Sequence, residues 1–208
     1  MKKFINCKID LSKKVFNPRI ETEFWVKRVI KKLKKKKHKL NIKVLDIFSG
    51  SGCIGISVLK NIKKSFVCFV DIDKNAIEQI KINLKLNRIL PKKYRIVKSN
   101  IFSKIKEKFD IIFANPPYVA KERLNEVQES VKKLEPKISW YGGKKGLMYI
   151  KKFLKKTKDY LKKDGIIFME IDPLQKESIE KILKDEKYSK FKFYKDQFKK
   201  IRLVEIFR

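Results

Sequence analysis

Phe109-Asp110-Ile111-Ile112-Phe113-Ala114-Asn115-Pro116-Pro117-Tyr118 is an apolar run that stops abruptly at an Asn and two prolines. Phe109 to Ala114 reads as a buried strand. Neither proline can donate a ladder hydrogen bond, and the residue before a proline is pushed out of the helical region. The backbone must therefore leave the sheet after Ala114 in a stiff, extended shape. It presents the Asn115 amide and the Tyr118 ring at the carboxyl end of a central strand, where open α/β sheets place their ligands. The Asn115 oxygen and the Pro116 carbonyl are two fixed acceptors, suited to the two hydrogens of a planar amino or amide group. Tyr118 can lie flat on that group and favour positive charge developing there. A proline-rich turn after any strand looks the same locally, so the assignment rests on the flanking chain.

Working back, Ile42 to Phe48 is a strand that runs into Ser49-Gly50-Ser51-Gly52 and then an apolar helix from Cys53 to Leu59. Strand, glycine turn and helix form a nucleotide-binding βα unit, in which the glycines let the backbone approach a ligand. Phe48 stands where a dinucleotide fingerprint has its first Gly, and no Walker lysine follows. The next strand, Phe66 to Asp71, ends in an acid about 20 residues beyond the turn, placed for the two hydroxyls of a ribose. Asp73 then caps a helix carrying Ile77, Ile80 and Leu84. Tyr94 to Val97 is a third strand, leading to a polar loop, Ser99 to Ser103, placed to flank the adenine of a bound nucleotide.

At the front, residues 1–17 read as a short hairpin or an extended lead-in, with Phe4-Ile5 and Val15-Phe16 flanking polar Asn6 to Lys14. Thr22 is placed to cap a helix bearing Trp25, Val26, Val29, Ile30 and Leu33 at helical spacing. The basic run Lys34 to Lys39, which holds the sole histidine, His38, reads as its solvated tail. Beyond Tyr118, Val119 to Lys133 reads as a cover over the site. Leu147, Ile150, Leu154 and Leu161 mark an amphipathic helix. Asp164-Gly165 turns into a fifth strand, Ile166 to Ile171. A helix near Gln175 to Leu183 follows, then strands Phe191 to Tyr194 and Ile201 to Phe207. Strands alternate with helices until two strands lie close together, so the fold class is α/β: a doubly wound, mostly parallel seven-stranded sheet ending in an antiparallel hairpin.

A chain of 208 residues, 43% of them hydrophobic, suits one domain with a developed core. Met1 to Asp10 lacks a signal-peptide core, and no stretch reaches membrane-spanning length, so no membrane partner and a cytoplasmic location are expected. Cys7, Cys53 and Cys68 are far apart, which points to reduced packing thiols and no metal. The net charge of +32 invites a nucleic-acid partner. Only seven of the 55 basic residues are Arg, however, and the lysines spread along the whole chain. Alanine occurs only at 76, 114 and 120, while Ile, Phe, Asn and Lys abound. An A/T-rich codon bias explains that pattern, leaving weak nonspecific RNA or ribosome contact as the expectation.

The Gly turn, Asp71 and Asn115-Pro116-Pro117-Tyr118 together resemble a Rossmann-like class I S-adenosylmethionine-dependent methyltransferase. More narrowly, the chain resembles the HemK/PrmC family of protein-glutamine methyltransferases. Pro18-Arg19-Ile20-Glu21-Thr22-Glu23, Leu134-Glu135-Pro136 with Tyr141-Gly142-Gly143-Lys144-Lys145-Gly146-Leu147, Asp164 through Glu170 to Gln175, and Asp196 with Arg202 carry that match. The resemblance implies methyl transfer from S-adenosylmethionine, without metal, to the glutamine of the Gly-Gly-Gln motif in peptide chain release factors, leaving S-adenosylhomocysteine. It implies a cofactor site at Phe48, Ser49, Gly50, Ser51, Gly52, Asp71, Ile101 and Asn115. It implies an acceptor site at Asn115, Pro116, Pro117 and Tyr118. Residues 18–208 correspond to the family's catalytic domain and 1–17 to a short lead-in, in place of the family's helical N-terminal domain. Phe48, Asn100 and Ile101 depart from the family's usual Gly, Asp and aromatic. An amino methyltransferase for adenine in DNA or for an rRNA base shares the Asn-Pro-Pro-Tyr element and is the alternative reading. A noncatalytic nucleic-acid-binding module is a second alternative, disfavoured by the intact motif.

Overall fold

The computed structural model of the chain describes residues 1–35 and 41–208. A small antiparallel hairpin, β1 (Lys2–Phe4) and β2 (Cys7–Ile9), precedes helix α1 (Ile20–Lys35). The main sheet then alternates with helices: β3 (Ile42–Ile47), α2 (Cys53–Asn61), β4 (Ser65–Asp71), α3 (Lys74–Leu86), β5 (Tyr94–Lys98) and β6 (Phe109–Ala114). A short helix α4 (Glu129–Leu134) leads through irregular chain to α5 (Met148–Thr157), β7 (Leu161–Glu170), α6 (Lys176–Asp185), β8 (Phe191–Lys195) and β9 (Ile201–Phe207). The seven strands lie in the order β5-β4-β3-β6-β7-β9-β8. All pairs are parallel except β7 with β9 and β9 with β8.

Strand periodicity explains the two-faced core. On β6, Ile111 and Phe113 pack with Trp25, Val29, Ile56 and Ile80 from α1, α2 and α3. Ile112 and Ala114 point the other way, into a second core with Phe153 of α5 and Ile179 of α6. Helices thus cover both faces, which is why the central strands are mostly apolar on both sides. Strand order reverses between β3 and β6. Their last residues, Ile47 and Ala114, are register partners. Phe48 and Asn115 therefore leave the sheet side by side, at the switch point where doubly wound sheets bind ligands.

Three local expectations are corrected. The second arm of the hairpin is Cys7–Ile9, not Val15-Phe16, with the turn at Ile5, whose φ is 56°. Gln79 and Asn83 on α3 and its C-cap Asn87, four residues apart, hold this arm and the chain after it through the backbone: Lys8 N–H donates to Asn87 Oδ1, Asp10 N–H to Asn83 Oδ1 and Lys13 N–H to Gln79 Oε1, all within 3.0 Å. Thr22 does not cap α1. It lies inside the first turn, fully buried, with its hydroxyl on Glu170. Leu161 belongs to β7 rather than to the amphipathic helix, and β7 begins five residues before the expected strand, with a register shift past Phe109. Lys34 and Lys35 close α1 as expected, while Lys36 to Lys39, including His38, lie outside the described residues. All three cysteines are buried and free. Among the described residues, no helix is long and apolar enough to cross a membrane.

Candidate active site

Two cavities open at the carboxyl ends of β3, β4 and β6. The first, of about 640 Å³, is walled by Phe48, Gly50, Asp71 and Ile101, with Val15 and Phe16 of the lead-in on one side and Pro136, Ile138 and Ser139 across the top. The second, of about 770 Å³, is walled by Pro116, Tyr118, Arg19, Arg123, Trp140 and Asp172. Asn115, Pro117, Phe16 and Ser139 belong to both. The tetrapeptide after β6 is thus a partition, with Asn115 reaching either side.

In the first cavity Asp71 closes the Gly turn. Its Oδ2 accepts the Gly50 N–H at 2.8 Å and its Oδ1 the Asp73 N–H at 3.0 Å. Burial holds this carboxyl above its ordinary range, and the two backbone donors oppose the shift. Gly50 sits so close to the lead-in that a Cβ there would stand 3.3 Å from the Phe16 Cβ. Two wall residues hold unusual backbone: Phe48 at φ 59° and Ile101 at φ 51°. Both lie in the left-handed region that bulky and β-branched residues avoid. At Phe48, where a glycine would adopt that angle freely, the ring lies edge-on to Tyr149 and Phe153 at 6.3 and 6.0 Å. Ser49, Ser51 and Gly52 do not line this cavity. The Ser49 hydroxyl donates to the Asp46 carbonyl at 2.6 Å, and Ser51 is fully buried. A Cβ on Gly52 would press on Ile80. These three shape the turn from behind.

Beneath the turn lies Asp46, 1% exposed, its Oδ2 accepting the Gly55 N–H at 2.9 Å and its Oδ1 without a partner among the described residues. Burial pushes its carboxyl from 3.8 up to about 8, against the Gly55 hydrogen bond and with a small push from Asp71. The folded state therefore keeps a proton that the unfolded chain releases above pH 3.8, and stability falls as pH rises toward 8. Asp46→Asn does not titrate. Its stability relative to wild type is expected to improve between acidic and mildly alkaline pH, by about 2 kcal/mol or more, in paired urea titrations. A difference that stays constant with pH would contradict this.

The second cavity is built around Tyr118. Its hydroxyl meets Glu170 Oε1 at 3.0 Å, while Glu170 Oε2 accepts from Thr22 Oγ1 and Trp25 Nε1, both at 2.7 Å. Burial, reinforced by the Glu170 charge, holds the Tyr118 phenol well above its ordinary range. The Tyr118 carbonyl accepts from Gln175 Nε2 at 3.0 Å, and the same NH2 also reaches the carbonyls of Lys145 and Gly146. Val119 N–H donates to the Trp140 carbonyl, and Gly142 N–H returns to the Val119 carbonyl, both at 2.8 Å. Arg19, at the start of α1, pairs with buried Glu135. That pair ties the roof segment, Pro136 to Ser139, to the front of the chain. Arg123 bridges to Asp172 at 3.1 Å across the mouth.

Sequence reasoning placed Asn115, Pro116, Pro117, Tyr118, Phe48, Gly50, Asp71 and Ile101 on the cavity walls, and the structure brings all eight together. It missed Val15, Phe16, Arg123, Trp140 and Glu170 as parts of the site. For Val15 and Phe16 the available signal was their position directly before Pro18-Arg19.

With this geometry in place, the chain was compared with known proteins. It matches the family model of the Methyltransferase small domain over residues 25–137. Release factor glutamine methyltransferase from Borreliella burgdorferi is 34% identical over 203 residues, covering 98% of this chain and 69% of the relative. The chain belongs to the release factor glutamine methyltransferase family. The relative of that name in Thermodesulfovibrio yellowstonii is 33% identical over 180 residues, covering 86% of this chain. This chain spans 63% of that relative's length, a little under two thirds. Among solved structures, ribosomal protein L11 methylase from Lactobacillus delbrueckii subsp. bulgaricus superposes with a TM-score of 0.65 at 20% identity, covering 93% of this chain and 81% of that one, a likeness of fold alone. In this member of the release factor glutamine methyltransferase family, the segments that carried the resemblance converge on one place. Arg19 meets Glu135, Thr22 meets Glu170, Gln175 meets the Tyr118 and Gly146 carbonyls, and Arg202 meets Asp196 at 3.3 Å.

Proposed function

We propose that this protein transfers a methyl group from S-adenosylmethionine to the side-chain amide of the glutamine in the Gly-Gly-Gln motif of peptide chain release factors. The observation that carries the reading is the pair of cavities sharing Asn115, one lined by an acid at a strand end and the other by Asn115, Pro116 and Tyr118. The names of the relatives supply the substrate class. We assign residues 18–208 to the catalytic domain, with the lead-in contributing Val15 and Phe16 to the wall, and a cytoplasmic setting, where release factors work.

The residues of the first cavity suit the cofactor. Asp71 offers carboxylate oxygens for ribose hydroxyls, Gly50 lines the wall beside it, and Phe48 and Ile101 give apolar walls. When bound, S-adenosylmethionine supplies an electrophilic methyl group on a positively charged sulfur. The chain's own work is orientation. An amide nitrogen is a poor nucleophile because its lone pair is delocalised into the carbonyl. Asn115 Oδ1 and the Pro116 carbonyl accept its two N–H bonds and aim the nitrogen at the first cavity. Both dipoles, and the face of Tyr118, favour the positive charge that grows on nitrogen, so catalysis comes from positioning and preorganised electrostatics. The proton leaves to solvent after transfer, so no tuned general base is required.

Asp71→Ala is expected to weaken S-adenosylhomocysteine binding by about tenfold or more, as loss of a charged hydrogen-bond acceptor does. Calorimetry reads this directly, and wild-type affinity would remove Asp71 from the cofactor site. The substrate class is tested by offering labelled S-adenosylmethionine with a release factor, an rRNA fragment and duplex DNA in parallel. Label on the protein alone is expected, and label only on nucleic acid would overturn the reading.

A further inference from the structure

We propose that Glu170 is a positioning residue for methyl transfer, holding the Tyr118 hydroxyl so that the ring stays fixed at the acceptor cavity, with Thr22 and Trp25 of α1 as its own anchors. The proposal rests on the acceptor role given above to Tyr118.

Glu170 is the last residue of β7, 1% exposed, between the fully buried apolar residues Met169 and Ile171. Its neighbour Met169 is the register partner of Ala114, so Glu170 stands level with Asn115. A carboxyl at this depth is costly unless donors surround it, and an apolar side chain would serve packing better. Donors do surround it, from two separate elements. Thr22 and Trp25 lie three apart on α1 and so share a face. Both reach Oε2 at 2.7 Å. The Tyr118 hydroxyl takes Oε1 at 3.0 Å. One buried carboxyl therefore links α1, the end of β7 and the acceptor turn. It is also the hydrogen-bond partner through which the Tyr118 ring is held at its outer end. A purely structural clip between α1 and the sheet would need only Oε2. The use of Oε1 on a residue of the acceptor wall is what points to the reaction.

The test uses the full chain with Glu170→Gln, Tyr118→Phe and the double variant. Gln keeps the shape and one acceptor oxygen but lacks the charge. Three readouts are taken: kcat and KM for the release factor, the dissociation constant for S-adenosylhomocysteine, and the two indole N–H resonances in a ¹⁵N-correlated spectrum. Glu170→Gln is expected to lower kcat about tenfold, the size of one hydrogen bond to a charged group. Cofactor affinity should stay within about twofold of wild type, and the double variant should lose no more than the worse single variant. Losses that multiply in the double variant, or a folded Glu170→Gln with wild-type kcat, would overturn the proposal. Thr22→Val, at a residue that lines neither of the two cavities, provides a milder variant should Glu170→Gln fail to fold. It should lower kcat in the wild-type background and not in Tyr118→Phe, and an equal loss in both would contradict the link. The spectrum decides independently of any substrate. The Trp25 resonance should move in Glu170→Gln and also in Tyr118→Phe. If the wild type methylates nothing offered, the functional reading fails. If Trp25 is unmoved by Tyr118→Phe, the positioning link fails.

Discussion

Replacing Asn115 by alanine is expected to cut methyl transfer by about 10²–10³-fold, the loss seen when one preorganised polar group is removed from a reacting centre. The expectation follows from register. Ala114 pairs with Ile47, so the residue after each strand emerges at the same level, and Asn115 is the polar side chain of this turn that borders both cavities. Two prolines behind it forbid a ladder bond and hold the turn extended, so the amide cannot drift back into the sheet. Alanine removes one of the two acceptors that aim the nitrogen and leaves the fold in place, because the Asn115 side chain is only half buried and the core lies beneath it. Thermal unfolding should therefore hardly change while kcat collapses. Substantial activity in a folded Asn115→Ala protein would remove this residue from the chemistry.

Gly146→Ala is expected to damage activity and stability together, although Gly146 borders neither cavity. Its φ is 67°, and a Cβ there would run into the Tyr118 carbonyl and the Gln175 side-chain amide. The nearest obstruction is backbone, which has little room to yield. The same two groups are joined by the hydrogen bond that clamps the acceptor turn. The intruding methyl must therefore push Tyr118 away or break the clamp. A left-handed alanine adds about 1 kcal/mol, and the lost hydrogen bond adds about 1–3 kcal/mol. A shift of about 1 Å at the acceptor turn costs on the order of 10²-fold in rate. Steady-state kinetics and urea unfolding of the same preparation measure both effects. Wild-type kcat/KM would show that the turn is not held by this contact.

The parts of the fold legible in the sequence were those set by local physics. Phe109–Ala114 ends where the prolines make it end, and the observed strand has those bounds. The spacing of Trp25, Val26, Val29, Ile30 and Leu33 marked the buried face of α1 because a helix has one period and one core-facing stripe. Asp71 was legible because a strand end after a Gly turn has one place to put its acid. What was not legible depends on residues far apart in the chain. Thr22 looked like a helix cap because a Thr before an apolar helix usually is one. Its actual partner, Glu170, lies 148 residues away, and no local pattern announces it. The hairpin was found but its arms were misplaced, because the side chains that hold Cys7–Ile9 in register come from α3. Leu161 fitted a helical stripe by spacing alone, yet it pairs with Phe109 at the start of β7. The long-range amide and carboxylate contacts are also what assemble the wall around Tyr118, so Arg123, Trp140 and Glu170 beside it were not legible.

The central claim is that the acceptor cavity receives a glutamine amide and passes its nitrogen to the cofactor cavity at Asn115. Tandem mass spectrometry of a release factor treated with this protein and S-adenosylmethionine tests that claim most directly. One added methyl group on the side-chain nitrogen of the Gly-Gly-Gln glutamine, absent with Asn115→Ala, is the predicted result. A methyl group on any other residue, or none on a release factor while nucleic acid is methylated, would contradict it.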